Sequence, residues 1–363
     1  MRIFHIHGDR FTELQTLPDA APPDGYLWVG IARAEFELDI APLQGALQRW
    51  TGGQLVDLHV SDLLNPQLPS HFDYTSWYDL LVFRRLAAIA ADESENENAP
   101  AAALTRIDTS PVGFAVFDRV LLTVHPADCM VREYFANRLL QQTPGAETRE
   151  ARTGAARMPP SPADMALRMT NYMVDSYLDL RRLLTKQLDQ LQQELFGPRP
   201  DESSWKLLLD SRNGLHLLED TCEDQRAAIT EWIDALDELP PAGDAAVLRE
   251  RELLRVRSRD VLEHIERVLT HVRRLEASAE NAVQMHFSAQ SNRTNEIMRT
   301  LTTLTAIFLP LNLVTGFFGM NFDTLPGIHS PRAFWITFGT MLVLGIGLSL
   351  YFWRKRYIGR TPQ

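Results

Sequence analysis

Two long segments without charge near the end of the chain set the strongest limit on what it can fold into. No charged side chain occurs in the 23 residues between Arg299 and Asp323, or in the 21 residues between Arg332 and Arg354. A helix of about 20 residues crosses the hydrocarbon core of a bilayer. The sequence therefore predicts two transmembrane helices joined by a short loop. The predicted bounds of first helix, loop and second helix are 299–322, 323–332 and 333–353.

Basic residues flank the two predicted spans unevenly. Arg293 and Arg299 precede the first span, the run WRKRYIGR follows from 353 to 360, and Arg332 is the one basic residue in the loop. Because positive charge accumulates on the cytoplasmic side, we expect both termini, including the basic tail 354–363, in the cytoplasm. The protein would be a multi-pass protein of the cell (inner) membrane, with the loop outside.

Charge is divided between an acidic body and a basic tail. The formal net charge is −11; residues 1–290 hold 29 basic and 45 acidic side chains, and residues 291–363 hold 7 and 2. An acidic body argues against nucleic acid as a partner and suits divalent cations. Cys129 and Cys222 match neither a disulfide framework nor a metal-site spacing. The sequence has no phosphate loop and no HExxH motif, so we expect no enzyme.

The N-terminal part, 1–160, reads as a cytosolic α/β domain. DIAPLQGALQRW and VDLHVSDLLN have helical spacing, and the acidic run 91–100 is predicted to be a solvated loop. The last of three apolar runs resembles a hairpin around Asp118 and Arg119. The three runs predicted to form strands are YLWVGIA (26–32), YDLLVFRRLAAIA (78–90) and VGFAVFDRVLLTVHP (112–126).

Helical patterns fill the chain from residue 161 onward. Ser161 before Pro162 predicts a helix start, and a helical hairpin over 161–243 is broken by GPRP and PPAG. After Gly243 neither proline nor glycine occurs until Pro310, which predicts a helix of about 70 residues and about 100 Å. Its stalk, 244–298, either transmits movement into the first span or is passive.

The first span is too polar for a helix that faces only lipid. A stripe with three-four spacing holds Met298, Thr302, Thr305, Leu309, Asn312, Gly316 and Gly319. Such a stripe is either a packing face between membrane helices or the lining of a pathway. Asn312 favours the pathway, because an amide in hydrocarbon needs a polar partner or water. One helix cannot enclose a pore, so several copies would surround it.

The stretch SNRTNEIMRTLTTLTAIFLPLNLVTGFFGMNF (291–322), with Gly-Met-Asn at 319–321, a second span and a basic end, resembles the CorA family of divalent metal-ion transporters. The resemblance extends less sharply upstream and covers nearly the whole chain. It implies a funnel-shaped homopentamer whose first membrane helices line the pore. The implied cargo is hydrated Mg²⁺, with Co²⁺ and Ni²⁺ as further substrates, moving down the electrochemical gradient.

The resemblance also implies roles for individual residues. Gly319, Met320 and Asn321 would form the selective outer mouth, where neutral oxygens suit Mg²⁺ because it gives up water reluctantly. The implied pore-lining residues, with Leu301 and Met298 among the hydrophobic gates, are Asn312, Leu309, Thr305, Thr302, Leu301, Met298 and Asn295. Asp62 and Asp260 align with acids that bind regulatory Mg²⁺ in some members, although Asp62 also suits a helix cap and Asp260 a solvated face.

The loop departs from the magnesium pattern of the family. It reads FDTLPGIHSPRAF where magnesium-transporting members usually carry MPEL, so Asp323 is its one acid and His329 is added. The leading hypothesis is a Mg²⁺ channel gated by cytosolic divalent cation. The first alternative is a carrier of Zn²⁺ or another transition metal of the ZntB type, with or without proton coupling, using His264, His271 or His329. The second is a membrane-anchored sensor or scaffold without flux. In every case the lipid bilayer is a partner.

Overall fold

The structure is a computed structural model that describes residues 1–8, 10–88, 107–141, 158–195, 202–240, 243–320 and 331–355. The chain forms two compact units, Met1–Asn281 and Ala282–Gln363. The acidic run at 91–100 and the GPRP break lie outside the described residues. The boundary at 298 remains a prediction because one helix passes continuously through it, and the boundary at 322 lies outside the described residues.

A seven-stranded mixed sheet forms the core of the first unit. Its strand order is β2-β1-β3-β9-β8-β5-β4, with β3 and β9 as the parallel pair and the other pairs antiparallel. A separate two-stranded sheet joins β6 and β7. The strands are β1 (Arg2–His7), β2 (Arg10–Leu14), β3 (Tyr26–Ala32), β4 (His71–Tyr74), β5 (Tyr78–Arg84), β6 (Ala87–Ala88), β7 (Ile107–Asp108), β8 (Pro111–Phe117) and β9 (Val120–His125).

The apolar runs that predict strands do form the centre of this sheet. Every residue of β3, β8 and β9 is buried, because central strands are covered on both faces and therefore read as continuous apolar runs. The predicted hairpin is confirmed, with β8 and β9 antiparallel and Val116 opposite Leu121. Strands β1, β2 and β4 have no counterpart among the predicted strands, since they lie toward the sheet edges and carry mixed polar sequences.

Nine helices occur in the described residues. Their bounds are α1 (Arg33–Leu38), α2 (Ile40–Thr51), α3 (Asp57–Leu64), α4 (Met130–Gln141), α5 (Pro162–Asp175), α6 (Tyr177–Leu195), α7 (Glu202–Glu238), α8 (Ala245–Phe318) and α9 (Pro331–Arg354). Phe36, Leu43 and Trp50 of α1 and α2 pack in the same core as Val29 and Ile31 of the sheet.

The long helix predicted after Gly243 is confirmed as α8, which has 74 residues. The predicted start at Ser161 is confirmed too, because the Asp164 backbone N–H donates to Ser161 Oγ at 3.4 Å. Apolar residues of α8 recur at near-heptad spacing from Leu254 to Leu275 and are buried, whereas Leu248 is half exposed. The buried series therefore begins at Leu254.

Asp79 on β5 gives a pH-dependent stability prediction. Burial raises its pKa from the ordinary 3.8 to about 6, and the nearby Asp118 carboxylate adds to the effect. The folded state thus holds a proton more tightly than the unfolded state, so wild-type stability falls as the pH rises from about 4 to about 6. We expect Asp79→Asn to raise the free energy of unfolding by about 1–2 kcal/mol at pH 7 and by almost nothing near pH 4.

Urea titration of the full chain in detergent at the two pH values measures this difference. Asp57→Asn, a change at an exposed carboxylate of α3, is the matched control and should show no gain at either pH. An equal gain from Asp79→Asn at both pH values would show that ionisation is not the cause.

Candidate functional site

Two helices of the described chain are long and apolar enough to cross a membrane, judged by length and composition. The most apolar 18-residue window of α8 is 6% buried within the chain, and that of α9 is 0% buried. A core helix of a soluble protein would bury such a window. The exposure of these windows therefore fits contact with lipid or with further copies of the chain.

One face of the membrane part of α8 packs within the chain. Thr303 is 3% exposed and Ile307 is also buried, while Leu311 and Val314 are half buried. Leu311 lies against α9, since a Cβ added at Gly345 would lie 3.6 Å from Leu311 Cδ1. This face therefore holds α8 in contact with α9.

The predicted pore-lining residues lie on the other side of α8. At 3.6 residues per turn, Thr305 and Leu309 point roughly opposite to Thr303 and Ile307, and Leu309 is 68% exposed. The following predicted lining residues are all exposed: Asn295, Met298, Leu301, Thr302, Thr305, Leu309 and Asn312. Packing on α9 is thus not the reason for the polar stripe.

The threonines of this exposed face offer oxygen atoms outward. Thr302 Oγ1 donates to the Met298 carbonyl at 2.7 Å, and Thr305 Oγ1 donates to the Leu301 carbonyl at 2.9 Å. Each hydroxyl has one hydrogen, which this internal bond uses, so its remaining capacity is that of an acceptor. Such oxygens can accept hydrogen bonds from the water shell of a hydrated cation.

The first two residues of Gly-Met-Asn close the end of α8. The Gly319 N–H donates to the Thr315 carbonyl at 2.9 Å, and a Cβ at Gly319 would lie 2.9 Å from that same oxygen. Only glycine fits this close approach, which explains the residue type at 319. Met320 is exposed. Three further predicted site residues, Asn321, Asp323 and His329, lie outside the described residues.

Asp260 on α8 belongs to a cluster with a histidine and a second carboxylate. His264 Nε2 lies 3.9 Å from Asp260 Oδ1, and His264 Nδ1 lies 3.0 Å from Asp175 Oδ1. Sequence reasoning missed Asp175, because it ends α5 at a distance of 85 residues from Asp260 and no periodicity connects the two. The two carboxylates contact different nitrogens of the imidazole, so within one chain the three side chains do not converge on a single ion.

Asp62 belongs to a different cluster. It lies in the last turn of α3, with its Oδ2 3.9 Å from His71 Nε2. Since α3 begins at Asp57, Asp62 does not cap the start of that helix. Within one chain the two predicted regulatory carboxylates therefore have separate histidine neighbours.

The histidines considered for zinc also have separate surroundings. His264 contacts the two carboxylates above, whereas His271 is buried near Thr185. Among the described residues, one group of three metal-ligating side chains has its ligand atoms within 4.8 Å of one another: His216, Glu219 and Glu276. Sequence reasoning missed this group, although the three-residue spacing of His216 and Glu219 on α7 was a partial signal.

This group is balanced by ion pairs. His216 Nδ1 lies 2.9 Å from Glu276 Oε1, and Arg273 Nε lies 2.7 Å from Glu219 Oε1. The hydrogen bond from Arg273 lowers the pKa of Glu219. Burial raises the pKa of Glu276, and its hydrogen bond with Glu219 adds to that rise. The charges are satisfied within the protein, so a metal ion would have to displace Arg273 from its partner.

An α/β domain and two C-terminal helices with apolar segments of membrane length define a class of two-span membrane proteins with a large N-terminal domain. The first of these helices has 74 residues and an exposed polar face in its apolar segment. The family model described as CorA-like Mg²⁺ transporter protein matches residues 53–356 of the chain. The chain therefore belongs to the CorA-like family of divalent metal transporters.

Curated relatives share part of the sequence. The chain is 26% identical over 186 residues to the cobalt/magnesium transport protein CorA of Thermotoga maritima, covering 51% of this chain and 50% of that one. It is 26% identical over 221 residues to the putative metal ion transporter YfjQ of Bacillus subtilis, covering 60% and 65%. These matches span about half to two thirds of the length of the relatives.

Solved structures share the fold. The complete structure of the CorA magnesium transporter from Methanocaldococcus jannaschii matches with a TM-score of 0.75 at 16% identity, covering 99% of each chain. The full-length CmaX protein matches with a TM-score of 0.52 at 17% identity, covering 98% and 97%. The predicted fold, an α/β domain followed by a long helix and two C-terminal membrane helices, is thus confirmed.

Proposed function

We propose that the protein is a channel that carries divalent cations, foremost Mg²⁺, down their electrochemical gradient across the cell (inner) membrane. The observation that carries this proposal is the exposed polar face of α8, opposite the face that packs on α9. Family membership and the printed names of relatives support Mg²⁺ and Co²⁺ as cargo. For a doubly charged ion the membrane potential contributes about 4.6 kcal/mol per 100 mV.

A homopentamer is the assembly that this proposal requires. In it five copies of α8 turn Thr302, Thr305 and Asn312 toward a common axis, with both termini in the cytoplasm. Threonine and amide oxygens are neutral acceptors, which suit Mg²⁺ because this ion keeps its water shell. Rings of Leu301 and Met298 would gate the path by dewetting. At the outer end, Asn321 beside Gly319 would receive the hydrated ion.

A matched pair of threonines tests this function. Thr303 and Thr305 each donate a hydroxyl hydrogen to the carbonyl four residues earlier, at 2.8 and 2.9 Å, but on opposite faces of α8. Thr305→Val removes one oxygen per subunit from the proposed path at nearly constant volume. We expect it to slow Mg²⁺ uptake into proteoliposomes about three- to tenfold, because each lost hydrogen bond weakens ion passage. Thr303→Val should leave uptake unchanged; equal effects would contradict the lining assignment.

Zinc transport is the second candidate function. The observation in its favour is the group formed by His216, Glu219 and Glu276, since nitrogen and carboxylate oxygen are ligands that Zn²⁺ accepts. The balancing Arg273 ion pair weakens this support. Zinc transport predicts faster uptake of Zn²⁺ than of Mg²⁺, and slower Zn²⁺ uptake in His216→Ala.

Asp62 and Asp260 are proposed to bind a regulatory divalent cation that keeps the channel closed. Asp260 is exposed and has Asp175 and His264 beside it, so bound Mg²⁺ would find carboxylate oxygens at this place. We expect Asp62→Ala together with Asp260→Ala to raise the internal Mg²⁺ concentration needed for half inhibition about tenfold, because a carboxylate ligand is lost on each side of the ion.

The measurement for this prediction is uptake into proteoliposomes preloaded with a series of Mg²⁺ concentrations. Glu263→Ala is the control, because Glu263 lies on the same helix and pairs with Arg267 outside the cluster. Inhibition that persists unchanged in the double variant would remove these residues from the regulatory mechanism.

A further inference from the structure

A groove of about 1150 Å³ runs between α6 and α8 in the first unit. Basic side chains from both helices line it, with polar and acidic residues between them. The lining residues that matter below are Arg181, Arg182, Thr185, Lys186, His271 and Arg274. None of them belongs to the proposed ion path or to the clusters of Asp62 and Asp260.

The groove holds four cations and two carboxylates, Asp189 and Glu194, so its lining carries a net positive charge. Within the part of the chain that the structure describes, Arg181, Arg182, Lys186 and Arg274 form no ion pair with a carboxylate. Nearby arginines of α8 differ, since Arg267 pairs with Glu263 and Arg273 pairs with Glu219 and Glu223.

His271 also lines the groove, and the positive electrostatic potential there affects its ionisation. It is 8% exposed, its Nδ1 has no hydrogen-bond partner among the described residues, and its Nε2 lies 3.4 Å from Thr185 Oγ1. Burial lowers its pKa, and the charges of Arg181 and Arg274 lower it further. The two guanidinium groups therefore act on the imidazole as cations, and neither is paired with a carboxylate among the described residues.

We propose that this groove binds a polyphosphate anion, either inorganic polyphosphate or the phosphate chain of a free nucleotide. Guanidinium and ammonium groups bind phosphate through charge-assisted hydrogen bonds. Arg181 and Lys186 are separated by about 7.5 Å along the axis of α6, and Arg274 lines the groove from α8. Successive phosphate groups of one chain can therefore each meet a cation.

The groove is suited to phosphate and not to a base. Its described lining contains no Phe, Tyr or Trp on which a base could stack. The nucleoside part of a nucleotide would thus add little to affinity. Mg²⁺ bound to the phosphates would weaken binding, because it cancels two negative charges of the ligand. This inference rests on the groove alone and does not require transport.

Isothermal titration calorimetry of the full chain in detergent tests the proposal. At low ionic strength and without Mg²⁺, we expect tripolyphosphate and ATP to bind one site per chain with affinities within about threefold of each other, and more weakly as salt screens the charges. Arg181→Gln with Arg274→Gln should weaken tripolyphosphate about tenfold or more. Arg226→Gln with Arg267→Gln, which removes the same charge at exposed sites outside the groove, should leave affinity within about twofold.

A second readout locates the bound anion. Tripolyphosphate should raise the pKa of His271 in an NMR titration of the wild type and leave it unchanged in the Arg181→Gln, Arg274→Gln variant. If that variant is less stable than wild type, Lys186→Gln serves in its place with a smaller loss of affinity. Absence of tripolyphosphate binding, an equal loss in the control pair, or binding of a polyglutamate peptide without tripolyphosphate would each overturn the proposal.

Discussion

Asn312→Leu is expected to reduce Mg²⁺ flux through the protein at least tenfold. Asn312 lies on the exposed face of α8 with Thr305 and Leu309, away from the contacts with α9. In a pentamer the change replaces five amides by five apolar side chains, and an apolar ring excludes water and hydrated ions from a narrow path. Because leucine inserts into a bilayer more readily than asparagine, loss of flux would not reflect failed insertion.

The rate of Mg²⁺ uptake into proteoliposomes, followed with an indicator inside them, measures this effect. Asn312→Gln keeps the amide at the same place and should retain most of the flux. Chromatography with light scattering must show the same oligomer for both variants. If Asn312→Leu conducts like the wild type as an intact oligomer, the path does not pass this face of α8.

Asp164→Asn is expected to lower the free energy of unfolding by about 3 kcal/mol. Asp164 lies in the first turn of α5, its side chain is 1% exposed, and its oxygens lie 2.9 Å from Arg168 Nε and 2.5 Å from Arg257 Nε. Asparagine keeps the shape but removes the charge that both guanidinium groups share. Two cations would then face each other in a poorly solvated place, which is the reason for the large cost.

Chemical denaturation of the full chain, monitored by tryptophan fluorescence, measures this cost. Glu263→Gln is the matched control, since it breaks an exposed ion pair on α8 and should change stability by less than about 1 kcal/mol. Replacing Asp164, Arg168 and Arg257 together by Leu, Met and Met should recover much of the loss. A cost below that of the control would mean that the ion pair between Asp164 and Arg257 does not stabilise the contact between α5 and α8.

Patterns of neighbouring residues in the sequence predicted the helices whose formation depends on consecutive residues alone. The absence of proline and glycine after Gly243 predicted α8, and uncharged length predicted the two membrane helices, because helix continuity and bilayer crossing depend on consecutive residues. Strands β1 and β4 were missed because they mix polar with apolar residues. Each is placed in the sheet by pairing with neighbouring strands, β1 with β2 and β3, and β4 with β5.

The candidate site was likewise predictable where its residues share one helix, and not where they come from different helices. Three-four spacing identified the polar face of α8, since residues on one face of a helix recur at that period. It could not identify Asp175 beside His264, or Glu276 beside His216, because these contacts join residues 89 and 60 positions apart in sequence. Nor could it show that the basic side chains of α6 and α8 meet around one groove.

Uptake of Mg²⁺ by proteoliposomes that contain only the purified full chain tests the central claim most directly. The account predicts uptake that needs no ATP, increases when the inside is made negative, exceeds Zn²⁺ uptake and does not change with an imposed proton gradient. Protein-free liposomes set the background. Mg²⁺ uptake no faster than that background, or Zn²⁺ uptake that requires a proton gradient while Mg²⁺ stays outside, would contradict it.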